Sequence, residues 1–154
     1  MKSVFKFFLG FLIIAGLGAA GIFLLRYLGE RGSEEYKVRQ ELEKINRAYE
    51  EDPYGGDTPE ETLRLFIDAL KAGDMELASK YFVLDKQEEW RNDLLIIKER
   101  GLLENMISEL ESTRLTKESA ERAFFTLIDE NNLAVAEMII ARNPLNHRWK
   151  ITEL

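Results

Sequence analysis

Nineteen consecutive residues, 7–25 (FFLGFLIIAGLGAAGIFLL), carry no charge and no strongly polar side chain. A helix rises about 1.5 Å per residue, so this run matches a hydrocarbon layer roughly 30 Å thick. The rest of a 154-residue chain offers too little structure to bury such a helix on every side. The run therefore predicts a single-pass transmembrane helix, with residues 1–27 as its anchor. A cleaved secretory leader is the rival, because Lys2 and Lys6 supply a basic start. Against cleavage, Ile22, Phe23, Leu24 and Leu25 extend the run past its small-residue stretch and beyond the roughly 7–15 apolar residues of a leader core.

Two small pairs four residues apart, Ala15 with Ala19 and Gly16 with Ala20, give the helix a face for close approach to another helix. Orientation rests on a divided signal. Arg26, Arg31, Lys37 and Arg39 after the span outnumber Lys2 and Lys6 before it, but Glu30, Glu34, Glu35 and Glu41 interleave with them. With only bases on the amino-terminal side, the expectation is an amino terminus inside and an extracytoplasmic domain on a cell membrane.

Residues 28–57 are polar and broken by glycines and Pro53. Within them Ser33 is placed to cap a helix whose first turn holds Glu34 and Glu35, and Val38, Leu42, Ile45 and Tyr49 form one narrow apolar stripe. Two heptads are too few to specify a coiled coil, so a helix laid on its own domain or a short stalk is expected, with a dimerising stalk as the alternative.

The compact domain is expected over residues 58–154. Thr58, Pro59, Glu60 and Glu61 combine a cap hydroxyl, a proline at the first helical position and a carboxylate able to return to the cap. Leu63, Phe66, Ile67 and Leu70 then mark a buried face before Gly73. Asp74 is placed to cap a helix over 75–82, and Asp85 with Glu88 repeats the spacing for a third over 86–100. A fourth helical piece covers 102–111. After Ser112 the apolar period shortens from about 3.6 to 2, predicting strands over 113–117, 122–128, 133–142 and 147–153, with a turn at 129–132. Helices first and hairpins afterwards make an α+β fold with an antiparallel sheet.

The stretches TPEETLRLFIDALKAGDMELASKYF, over 58–82, and RWKITEL, over 148–154, resemble the nuclear transport factor 2-like family, in particular its small membrane-tethered or lipoprotein-like bacterial members. The resemblance implies helices packed on a curved antiparallel sheet, a cone or roll, whose concave face can hold a ligand. It would place Phe124 or Phe125, Ile139 or Ile140, and Trp149 in the lining. Acids, tyrosines or histidines project into the cavity in enzymes of that family, which brings in Asp68, Tyr81 and Asp85, although surface, core and cap roles respectively account for them.

Chemistry is otherwise sparse. From Arg26 onward nineteen bases face twenty-eight acids, a surface that repels phosphate backbones, so no nucleic-acid partner is expected. There is no cysteine, and His147 is the single histidine, which leaves thiolate metal sites and thiol nucleophiles out. No phosphate loop, dinucleotide glycine pattern or serine elbow occurs. No cofactor, metal or catalytic residue is assigned. The reading is a membrane-anchored, non-catalytic binding, scaffolding or assembly module with the bilayer and a protein partner or second copy as partners. Two alternatives stand beside it: a carrier of a small apolar ligand or cavity enzyme, and an accessory subunit of a larger membrane complex.

Overall fold

The computed structural model of the chain describes residues 20–27, 29, 34–128 and 133–154. It divides into two units, Met1–Arg47 and Ala48–Leu154. In the first, residues 20–27 are helical, and helix α1 spans Glu34–Glu51, its last turn belonging to the second unit. No residue of α1 is buried, and its apolar stripe of Val38, Leu42 and Ile45 is about half exposed. Lys37 and Glu34 pair along its surface at 3.0 Å.

The transmembrane expectation is corrected here. Among the described residues no helix is long and apolar enough to cross a membrane. The described part of the expected anchor is the helical stretch 20–27, roughly 12 Å of rise against a layer near 30 Å. Residues 7–19, including Ala15, Gly16 and Ala19, lie outside the described residues, and Ala20 is exposed. Single-pass anchoring, the cell-membrane location with an extracytoplasmic domain, and the bilayer as partner are therefore withdrawn.

In the second unit helix α2 spans Pro59–Lys71, α3 Met75–Ser79, α4 Gln87–Glu99 and α5 Leu103–Ser112, with a 3-10 turn at Leu84–Lys86. The Thr58 hydroxyl accepts from the Glu61 amide at 3.1 Å, as its cap position requires, while the Glu61 carboxylate reaches one residue further back, to the Asp57 amide at 2.8 Å. Asp74 caps α3 by accepting from the Leu77 amide at 2.9 Å. Between α2 and α3, Gly73 adopts φ 70°, the left-handed turn that favours glycine. The helix expected from Lys86 begins at Gln87 with no side-chain cap, because the Asp85 carboxylate instead accepts from the Tyr49 hydroxyl at 3.4 Å.

Strands β1 (Arg114–Glu118), β2 (Arg122–Ile128), β3 (Ala134–Arg142) and β4 (Trp149–Glu153) form one antiparallel sheet in sequential order. The final strand starts two residues later than its alternation suggests, since His147 sits at φ 63° in the turn before it. The outer edge of β4 is covered by the preceding chain: Trp149 donates to the Gly56 carbonyl at 3.0 Å, and Ile151 and Val83 complete bonds with Tyr81 and Ile151. A Cβ on Gly55, which holds φ 107°, would strike the Trp149 carbonyl oxygen.

The α+β order holds, but the cone implied by the family resemblance does not form. The sheet is neither closed nor curled. Four sequential strands leave β1 and β4 unpaired with each other, and β4 spends its free edge on Gly56 and the segment around Phe82. The helices cover one sheet face. There Phe66, Leu70, Phe82, Leu94, Ile140 and Ile151 are fully buried, and Phe66 and Phe82 meet edge to face at 5.3 Å.

Candidate functional site: an apolar groove beside the core

Helix α4 carries Trp90, Leu94 and Ile97 at spacings of four and three, and α5 carries Met106 and Leu110 one turn apart. Leu94 is fully buried, and Trp90 and Ile97 remain half-buried. Trp90 lays one ring face on Phe82 at 4.4 Å with an interplanar angle of 16°. The rest of these side chains borders a groove of about 440 Å³, walled by Trp90 and Ile97 of α4 and by Leu102 and α5. Leu127 of β2, Ala136 and Met138 of β3, and Leu154 make its floor and far side. Leu102 and Leu154 stand at its mouth, 46% and 41% exposed.

The polar groups in the wall are few. Asn105 and Glu109 lie one turn apart on α5, followed by Thr113, whose hydroxyl is already committed to the Leu110 carbonyl at 2.7 Å. Glu137 also borders the groove, but strand alternation turns its side chain to the face opposite Ala136 and Met138, where it pairs with Thr126. Among the described residues no lysine or arginine contributes to the lining. Small-molecule sites share this make-up, mostly apolar with a few placed polar groups.

The seven residues singled out from the sequence do not line this groove. Phe125, Ile140 and Trp149 are buried core residues. Phe124 and Ile139 are half-buried and oppose each other in register, with the Lys117 ammonium 5.5 Å from the Phe124 ring. Asp68 is exposed on α2. Tyr81 is buried, meets Tyr54 edge to face at 6.5 Å, and has its phenol pushed up by burial. Trp90, Met106 and Leu110 were legible as apolar helix faces; nothing in their spacing distinguishes a face that meets a groove from one that meets the core.

A second polar constellation lies where α1 ends. The carbonyl of Tyr49 accepts from both Asn143 and Asn146 side-chain amides at 2.8 Å, and Asn146 also donates to the Asp52 carbonyl at 2.8 Å. Beside them Lys150, on the sheet face opposite Trp149 and Ile151, places its ammonium 2.6 Å from the Asp52 carboxylate, both side chains only 3% exposed. That approach is ionic rather than an aligned hydrogen bond; the ammonium donates in alignment to the Lys80 carbonyl at 2.7 Å. The Asp52 carboxylate in turn accepts from the Tyr54 amide at 3.0 Å. Burial pushes the Lys150 ammonium below the ordinary lysine range, and Asp52 opposes that push. With its charges paired inside, this constellation ties the last turn of α1, within the second unit, to the turn between β3 and β4.

Among the described residues no group of three or more His, Asp or Glu side chains is arranged to hold a metal ion. His147 projects from the turn before β4, exposed. No protein-family model, curated protein or solved structure matches the chain.

Proposed function

We propose that the second unit is a binding domain that holds an apolar molecule in the groove between α4, α5, β2 and β3. The observation that carries the reading is the groove itself, about 440 Å³ of space bordering the core and walled mostly by apolar side chains. Trp90, Ile97, Met106, Leu110, Leu127 and Met138 border it. Apolar walls left open to water lack the contacts that a packed partner would give them. A volume of several hundred cubic ångströms is in the range of small-molecule sites. Met106 and Met138 add unbranched, polarisable side chains that adapt to occupants of different outline.

Titration of the full chain with the uncharged fluorophore N-phenyl-1-naphthylamine tests this. Saturable binding at one site is expected, accompanied by a change in Trp90 emission. Ala136→Trp, an exposed wall position on β3, should fill the groove and abolish binding while leaving the circular dichroism spectrum intact. Unaltered binding by that variant would place the fluorophore elsewhere and overturn the reading.

A further inference from the structure

We propose that the molecule this groove selects is a cationic amphiphile, an apolar tail carrying an alkylammonium head, with Glu109 and Trp90 receiving the head. The inference rests on the groove reading and adds the sign of the ligand's charge. Glu109 is the acidic side chain turned to the groove, and among the described residues its carboxylate enters no ion pair. It lies in the closing turns of α5, toward the negative end of the helix dipole, and α5 has no base in its last turn to offset it. Trp90 has one ring face against Phe82 and contributes its remaining surface to the groove. Indole is the side chain that best attracts an ammonium ion, and aromatic rings are the usual receivers of alkylated ammonium heads.

The wider field points the same way. The chain has a formal net charge of −7, and among the described residues no basic side chain lines the groove. An anionic amphiphile such as a fatty acid would bring its carboxylate to Glu109 with no cation to receive it. A neutral tail would gain the apolar contacts alone.

Three probes of one tail length separate these terms when added to the full chain below their micelle concentrations: dodecyltrimethylammonium, dodecyl sulfate and dodecyl maltoside. Isothermal titration should rank the ammonium tightest, with about a tenfold advantage over the sulfate, as one favourable cation contact implies. Glu109→Gln, at an exposed position, should remove most of that advantage and leave maltoside binding unchanged. Leu102→Arg, at the exposed mouth, should reverse the preference toward the sulfate. Equal affinity for ammonium and sulfate, or a preference that survives Glu109→Gln, overturns the charge selection while maltoside binding sustains the groove. Failure of all three probes overturns both.

Discussion

Helices α1 and α2 carry apolar residues at the same helical spacing, yet only α2 buries them. Leu70 of α2 is fully buried with Phe66, Leu63 and Ile67, whereas Leu42 of α1 is 54% exposed with Val38 and Ile45 beside it. What differs is the mode of attachment. Within the second unit α2 is packed along its side, whereas the last turn of α1, which belongs to that unit, is held through Asn143, Asn146 and the Asp52–Lys150 pair. An amphipathic pattern therefore reports that a helix can bury a face, and the partner decides whether it does.

The largest effect expected on that contrast comes from the grip on the end of α1. Asp52→Ala leaves the Lys150 ammonium buried without a counter-charge and should cost about 3–5 kcal/mol in urea unfolding. Joint replacement by apolar residues, Asp52→Leu with Lys150→Met, should recover most of the loss. If Asp52→Ala is silent, the pair does not hold α1 in solution.

One substitution made in both helices sharpens the contrast next. Leu70→Ala should destabilise by about 2–5 kcal/mol through the cavity it leaves. Leu42→Ala should stay within about 0.5 kcal/mol of the parent, alanine being the better helix former at an exposed site. A large loss from Leu42→Ala would mean that the α1 stripe is covered in solution.

The smallest effect is in pH. Because burial lowers the Lys150 pKa in the folded chain, the unfolded chain binds more protons between that lowered value and the ordinary lysine value of about 10.4. Lys150 therefore contributes a stability term that rises with pH across that window. Denaturant melts of the parent and Lys150→Met should show the difference between them shifting in the parent's favour as pH climbs. A flat difference would mean that water reaches the ammonium.

The order of elements was legible because each signal was local. The change of period after Ser112 marks where helices give way to strands, Asp74 caps α3 as its spacing asks, and β2 runs over 122–128 as expected. The misreadings involve partners distant in sequence. Asp85 reads as a cap until Tyr49 takes its carboxylate. Lys150 alternates with Trp149 and Ile151 as a solvated residue should, but Asp52 draws it inside. Alternation also separates Phe124 from Phe125 and Ile139 from Ile140 without saying which face the helices cover. The groove was out of reach altogether, since it arises from how α4 and α5 stand off the sheet, a spacing that no residue on either helix encodes alone.

Thr62, fully buried at the start of α2, ties the unit's two ends together. Its hydroxyl accepts from the Gly56 amide at 2.9 Å and donates to the Trp149 carbonyl at 3.0 Å, across 87 positions of sequence. At ribosomal speeds of roughly 5–20 residues per second, that partner arrives on the order of 5–20 s after Thr62 is made. Until then α2 has only α3 and α5, which precede the strands, to pack on, and the unit locks when its last strand emerges.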